Sequence, residues 1–357
     1  MVLYAAARLL VLLAFVVAGA AHTGLGLRTA TSSWDGGFYL RIARHGYPTK
    51  LPAHGASVLA FFPGFPLVIR GLHAISGLDF FAAGVSIVGI AGLAATCGVW
   101  LLTRELADTA SADRATALFA FAPGAFVLSM VYSEALFALY AIALCWALLR
   151  RRWILAGVIG AIGTATRPDG LAFVVAIACA AYVAIRERDD RRSLLAIPIS
   201  AIGFVVVQLY IWAHTGDAFA FFRAEQRGWN QHFSVFGSGR YEDARSIWHT
   251  ITQGTGPDWN HIAPLAGCVV FVAAFVALVR WRPPLELIGL TAGLGYLGFA
   301  STDVGLRPRL LMVAFPLSMA LGVKLRREPW YSLVLAVSAA LLVVLAVATA
   351  GTLYITP

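Results

Sequence analysis

Charged side chains are scarce in this chain: 13% of 357 residues are Asp, Glu, Lys or Arg, against about 25% in soluble domains. That scarcity excludes a solvated globular protein. Cysteine is limited to Cys97, Cys145, Cys179 and Cys268. All four fall inside apolar segments without paired loop spacing, which excludes a disulfide framework or zinc site and leaves them small buried hydrophobes. No Walker loop or Rossmann glycine fingerprint opens a helix, so nucleotide-driven chemistry is excluded. The eight histidines show no His-x-x-x-His or comparable ligand spacing, and neither a metal nor another cofactor is expected. The formal charge of +9 is not gathered in one basic stripe but broken into short clusters between apolar runs. It therefore points to membrane topology, not to nucleic acid.

What the chain has in abundance is apolar length, with 60% hydrophobic residues. A bilayer-crossing helix needs about 20 apolar residues. Segments that meet or approach this lie at 3–21, 80–103, 114–131, 133–150, 153–166, 170–185, 193–213, 263–281, 284–300, 308–323 and 330–352. The short pair 153–166 and 170–185 reads as two tilted helices or one broken one, so the expectation is nine to eleven spans in a single all-α polytopic membrane domain over 1–357. Residues 1–21 end in Ala-Gly-Ala-Ala and also fit a cleaved signal peptide, but a retained first span is the preferred reading. Residues 57–77 are apolar yet interrupted by Pro63, Gly64 and Pro66, which predicts a re-entrant or surface-lying element.

Orientation follows from lysine and arginine in the short connections. With a cytoplasmic N-terminus, fifteen fall inside, from Arg8 and Arg104 to Arg326 and Arg327, and three outside, Arg167, Arg307 and Arg309. The remaining basic residues occupy two long outer loops, 22–79 with its interfacial helices and 214–262. This topology gathers on one outer face the polar clusters that look chemically purposeful: Asp35, the Tyr132-Ser133-Glu134 turn, the Arg167-Pro168-Asp169-Gly170 turn, residues 223–232, Asp303, Arg307 and Arg309. All eight histidines are on that face too.

Each cluster has a plain reading beside a functional one. Asp35 could cap the next short helix, yet Trp34, Phe38, Tyr39 and Tyr47 around it offer flat faces for sugars or prenyl chains. An acid at a membrane boundary is a candidate for catalysis. Glu134 could be a helix-start carboxylate favoured by the macrodipole, or it could orient an arginine or a substrate hydroxyl, with Tyr132 beside it. Arg167-Pro168-Asp169-Gly170 is either a hairpin with an internal ion pair or the break of a helix at a polar site. Arg307 and Arg309 suit a phosphate, either a substrate's or that of ordinary membrane lipids. Arg223, Glu225, Gln226, Arg227, Trp229, Asn230, Gln231 and His232 mix amide, aromatic and charged groups in a way that suits carbohydrate.

The ordered set Trp34-Asp35 with Gly46-Tyr47, Phe61-Phe62-Pro63-Gly64-Phe65-Pro66-Leu67, Tyr132-Ser133-Glu134-Ala135-Leu136-Phe137, Arg167-Pro168-Asp169-Gly170-Leu171 and Pro308-Arg309-Leu310 with Ala314-Phe315-Pro316 resembles the PIG-V family. This family comprises the second mannosyltransferase of glycosylphosphatidylinositol assembly and its bacterial relatives. The resemblance covers about 34–318. It implies a GT-C type glycosyltransferase fold with a catalytic first outer loop, taking mannose from a polyprenyl or dolichyl phosphate to a lipid-linked or glycan acceptor. The catalytic acid residue of that fold maps onto Asp35. Asp169 stands where the family usually has an asparagine or a small residue.

The expected chemistry has Asp35 as general base on the acceptor hydroxyl. Arg307, Arg309 and Arg167 hold the leaving phosphate, and Trp34, Tyr39, Tyr132, Glu134, Asp169, Trp229 and His232 contact substrate. Direct displacement inverts the anomeric centre. The expected place is a bacterial plasma membrane, with the site on the extracytoplasmic face. The rival readings are a transporter or lipid flippase, and the same scaffold using another polyprenyl-phosphate sugar. A transporter would carry charge at mid-span, whereas here the polar groups collect at one face.

Overall fold

A computed structural model describes residues 1–23, 26–254 and 259–351. Residues 24–25 and 255–258 of the two expected outer loops, and residue 352 of the final expected span, lie outside the described residues. The helices run α1 Val2–Ala18, α2 Leu27–Ser32, α3 Asp35–His45, α4 Gly64–Ser76, α5 Phe80–Leu106, α6 Thr109–Ala120, α7 Glu134–Leu149, α8 Trp153–Thr166, α9 Leu171–Arg188, α10 Ala196–Thr215, α11 Ala220–Trp229, α12 Ser238–Gln253, α13 Trp259–Trp281, α14 Leu285–Ala300, α15 Pro308–Val313, α16 Pro316–Lys324 and α17 Glu328–Gly351. Among the described residues extended pairing is limited to one isolated bridge, Phe233 with Ser301.

Many outward faces are apolar. Val269, Val270, Val272, Val276 and Val279 of α13 and Leu333, Val337, Leu341 and Val344 of α17 are all exposed. A contiguous apolar surface of this kind is expected where lipid, not water, is the solvent. Among the described residues six helices are long and apolar enough to cross a membrane, or seven if the 3-10 turn Pro123–Ser129 and α7, bent by 108°, form one broken span. This is fewer than the nine to eleven spans expected from apolar length. The difference lies in four segments whose helices are shorter than a bilayer: α6, α8, α14 and the pair α15 and α16. At about 1.5 Å per residue, the 14 residues of α8 span roughly 21 Å.

These short helices still link two chemically distinct ends of the molecule. At one end the arginine-rich connections meet each other: Arg150 pairs with Glu105 at 2.8 Å, Arg151 with Glu187 at 3.7 Å, Lys324 donates to the carbonyl of Arg280 and Arg114 to that of Gly322. At the other end lie the turns at 130–134, 166–170 and 301–309. The helices pack as α10 on α8, α14 on α9, α16 on α6, α5 on α7 and α1 on α17.

Two features set the end that carries the polar turns. The 57–77 stretch is not a span: Pro63 caps α4, a 13-residue helix that leaves Leu67 and Ile75 exposed and buries Phe65 and Ile69. Inside the bundle, Arg8 of α1 is buried and donates to the carbonyls of Ala120, at 3.0 Å, and Ala125. It thereby satisfies backbone acceptors that a 3-10 turn leaves open at the end of α6. That turn leads directly into Tyr132, Ser133 and Glu134.

Candidate active site

Asp35 owes its position to a kink. Helix α2 ends at Ser32, Ser33 is extended, and Trp34 adopts a positive φ of 56° before α3 begins at Asp35. A bulky residue there is under backbone strain, of the kind that concentrates at functional sites. The backbone N–H of Asp35 donates to the Tyr132 hydroxyl at 3.3 Å. Among the described residues its carboxylate accepts no backbone N–H at the start of α3 but pairs with Arg309, 274 residues away. The capping reading of Asp35 therefore does not describe its side chain.

Glu134 forms the second node. It is the first residue of α7 and fully buried, with Arg167 Nη1 2.8 Å and Arg309 Nη1 3.7 Å from Oε1. The contact with Arg167 is ionic: among the described residues neither carboxylate oxygen meets a hydrogen-bond donor in line. Arg167 also holds Asp169, with Nε at 2.8 Å from Oδ1, and donates to Ser133 Oγ at 3.1 Å. Ser133 Oγ meets the Tyr39 hydroxyl at 2.8 Å. Burial pushes the Tyr39 phenol well above its ordinary range, with Arg167 partly offsetting it, so Tyr39 stays a neutral hydrogen-bonding group. Both arginines lie over rings as well, Arg167 over Phe137 and Arg309 over Tyr132. Three carboxylates and two guanidinium groups from four separate segments thus form one network.

The network opens on a cavity of about 880 Å³, within the range of small-molecule sites. Asp35, Tyr39, Arg167, Asp169 and Arg309 form its polar floor. Arg223, Glu225, Gln226, Trp229, Gln231 and His232 stand on its wall from α11 and the irregular segment after it, while Phe61, Phe62, Phe204, Phe221, Phe222, Leu294 and Leu297 supply an apolar flank. Trp229 packs edge-on against Phe38 and Phe61, which stack on each other at 4.8 Å. Pro63 and Pro66 thus serve to end one turn and start α4, leaving Phe61 and Phe62 free to face the cavity.

Eight of the eleven residues singled out in the sequence either line this cavity (Asp35, Tyr39, Arg167, Asp169, Trp229, His232, Arg309) or hold its charged floor from behind (Glu134). Tyr132 is buried beneath the floor, bonded to Asp35 and facing Arg309. Two are placed otherwise. Trp34 is half-buried against the core off the cavity lining, its indole N–H buried without an acceptor among the described residues. Arg307 is buried and turned to the Val304 carbonyl at 3.1 Å, away from the lining. A proline between two arginines sends their side chains in different directions, and only Arg309 reaches the floor.

Several participants carried no distinct sequence signal. Gln231 is one: its Oε1 accepts from the backbone N–H groups of Asp303 and Val304 at 2.9 and 3.2 Å and from Ser301 Oγ at 3.0 Å. It ties the segment after α11 to the turn before α15. Glu225 is another. Burial pushes its carboxyl up to about 8, with Asp35 and Asp303 adding to the rise and Arg309 opposing it. Among the described residues no group of three or more His, Cys, Asp or Glu side chains is arranged to hold a metal ion.

The fold is shared with known membrane glycosyltransferases. The chain is similar to ArnT from Cupriavidus metallidurans, with a TM-score of 0.52 and 16% identity over 85% of this chain and 56% of that one. A second structure of that protein, bound to undecaprenyl phosphate, gives 0.52 and 17% over 90% and 58%. The Archaeoglobus fulgidus oligosaccharyltransferase tethered to an acceptor peptide gives 0.53 and 13% over 98% and 55%. These likenesses establish the all-helical GT-C type fold. In sequence, the chain is 33% identical over 159 residues to GPI alpha-1,6-mannosyltransferase 2 of Cricetulus griseus, covering 42% of this chain and 31% of that protein. The chain thus spans little more than half the length of these solved structures and less of the curated relative. The model of the family Mannosyltransferase (PIG-V) matches residues 9–213, more than half of the chain, and the protein is a multi-pass membrane member of the PIG-V mannosyltransferase family.

Proposed function

We propose that this protein transfers mannose from a polyprenyl-phosphate-mannose donor to a hydroxyl of a lipid-linked or glycan acceptor, with Asp35 as general base and inversion at the anomeric carbon. The observation that carries the reading is the Asp35–Arg309 pair on the floor of the cavity. It sets a candidate base and a candidate phosphate-binding cation side by side. Family membership supports mannose as the sugar. The undecaprenyl-phosphate complex of ArnT supports a prenyl-phosphate carrier on this fold, and the phenylalanine flank of the cavity suits such a chain.

The steps follow from the residues. The donor phosphate competes with Asp35 for Arg309, whose guanidinium can offer paired donors to phosphate oxygens. Arg167, held by Glu134 and Asp169, adds positive charge behind it. The acceptor oxygen attacks the anomeric carbon as the bond from that carbon to the phosphate oxygen breaks. The released lipid phosphate keeps the bonding electrons, and its developing charge faces Arg309. The hydroxyl proton passes to Asp35, which is freed to receive it as Arg309 turns to phosphate. One base and one displacement give inversion. Because arginine neutralises the phosphate, the reading needs no divalent ion. It places the site on the extracytoplasmic face of a bacterial plasma membrane, where a lipid-borne donor replaces a nucleotide sugar.

The test is donor choice in proteoliposomes. Purified protein should move labelled mannose from polyprenyl-phosphate-mannose and not from a nucleotide-linked mannose. Transfer from the nucleotide donor alone would overturn the assignment, and linkage analysis showing retained anomeric configuration would overturn the single displacement.

A further inference from the structure

The cavity holds one acidic side chain that the proposed reaction leaves unused. Glu225 stands on the wall formed by α11, facing the floor that carries Asp35 and Arg309. Every other carboxylate of the site is engaged: Asp35 by Arg309, Glu134 and Asp169 by Arg167. The cavity's third arginine, Arg223, is taken by Asp217 at 2.7 Å. Glu225 alone among these groups has no ion-pair partner and no side-chain hydrogen bond among the described residues. It is half-buried in the cavity wall near the Asp35 and Asp303 carboxylates, and a partly desolvated acid with like charges beside it and no counter-charge keeps its proton. Its elevated acidity range, about 8, agrees with that placement.

The charge balance of the cavity gives the proton a purpose. Arg223 being spent on Asp217, Asp35 and Asp169 on the lining, with Glu134 behind them, oppose Arg167 and Arg309 and leave the floor one negative charge in excess. An ionised Glu225 would add a second and repel a phosphate. A neutral one avoids that added repulsion and supplies a donor, since a carboxylic acid held neutral near pH 7 can give a hydrogen bond to an anionic oxygen. The other groups facing it are Asp303 from the turn before α15, and Tyr39 and His232 on the lining. Of the elements packed against α11, the Val58–Ala60 turn brings no charged side chain and α10 brings His214 near its end.

We propose that Glu225 is a substrate-binding residue which, in its protonated form, donates a hydrogen bond to a phosphate oxygen of a prenyl phosphate monoester seated over Arg309. This inference rests on the lipid-phosphate donor reading and deepens it. It makes donor binding self-limiting at alkaline pH through a residue of the second outer loop, far in sequence from the catalytic one.

The test measures binding of farnesyl phosphate to the full chain in detergent at pH 7 and pH 9, for wild type, Glu225→Gln and Glu225→Ala, with thermal unfolding run alongside to confirm folding. Wild type should bind at least 10-fold more weakly at pH 9. Glu225→Gln, which keeps an N–H donor and cannot ionise, should bind within about 3-fold of wild type at pH 7 and lose the alkaline fall. Glu225→Ala should bind about 10-fold more weakly at both values. Phosphatidylglycerol in excess should not displace the probe. An alkaline fall that persists in Glu225→Gln, a glutamine variant as weak as the alanine one, or displacement by phosphatidylglycerol would each overturn the proposal. Because the readout is binding, its failure is separable from failure of mannose transfer: wild type that transfers mannose while the variants bind with unchanged pH dependence sinks this inference alone.

Discussion

Arg309 and Glu134 carry demands that no neighbouring residue type could meet. Arg309 spans a carboxylate on each side and, in the proposed mechanism, releases one of them to a phosphate, which calls for a planar fork with several donors. Lysine offers a single point charge, so Arg309→Lys should lower kcat/KM for donor at least 10-fold, mostly through KM. Glu134→Gln leaves two buried guanidinium groups short of their shared counter-charge; breaking a buried pair in this way costs about 3–5 kcal/mol. A clear drop in Tm in detergent, beside lost transfer, is the expected outcome. At Glu225 the folded carboxyl sits near 8 and the unfolded one near 4.5, so the folded state binds the extra proton between these values. Stability should therefore fall as pH rises through that window, and Glu225→Gln should flatten the Tm profile. Asp35, Glu134, Arg167 and Arg309 were legible in sequence because an isolated charge beside a long apolar run has few purposes. Glu225 was not: one acid among eight mixed polar residues carries no mark until the fold sets it on the cavity wall with no ion-pair partner among the described residues.

The elements that deliver these residues are mostly broken helices. The bent span leaves Ser133 and Glu134 at its corner, the Arg167-Pro168 break separates α8 from α9, and the 301–307 turn leads from α14 into α15. Apolar runs in the sequence placed these breaks correctly, because Arg167-Pro168-Asp169 and Asp303 with Arg307-Pro308 put charge and proline together; proline alone is not enough, since Pro264 lies inside α13. Helix lengths were less legible, since an apolar run also continues through 3-10 turns that pack inside the protein, as at Pro123–Ser129. Close contact between two of these turns fixes Arg309. A Cβ on Gly124 would lie 2.1 Å from the Pro308 carbonyl oxygen, so only glycine allows α15 to sit against the 3-10 turn. Gly124→Ala should displace α15 and cost roughly 100-fold in transfer, as a 1 Å misplacement at a reaction centre does. Fold and expression should be less affected, with overpacking costing about 1–3 kcal/mol. The aromatic wall makes a separate prediction: Trp229→Ala should raise donor KM several-fold while kcat changes little.

Across the whole molecule, one end gathers the basic connections and the other gathers the cavity, with few charges between them. That polarity followed from the sequence because charge at depth is expensive and loops are the cheap place to keep it. The meeting of residues 35, 134, 167 and 309 in one network was foreshadowed only by the face on which they fell. Their pairing depends on helix breaks and side-chain directions that apolar periodicity does not encode, which is also why Arg307 was grouped with Arg309 although the fold turns it elsewhere. A molecule that neutralises its phosphate with arginine should keep its activity within about 2-fold in excess chelator, whereas strong loss restored by a divalent cation would require a metal-centred scheme. The central claim is that Asp35 removes the acceptor proton in a lipid-phosphate-dependent transfer. The measurement that reaches it most directly is single-turnover transfer of labelled mannose from polyprenyl-phosphate-mannose by wild type and Asp35→Asn, at matched expression and matched donor binding. The account predicts that the variant binds donor yet transfers at least 1,000-fold more slowly; transfer at the wild-type rate by Asp35→Asn would contradict it.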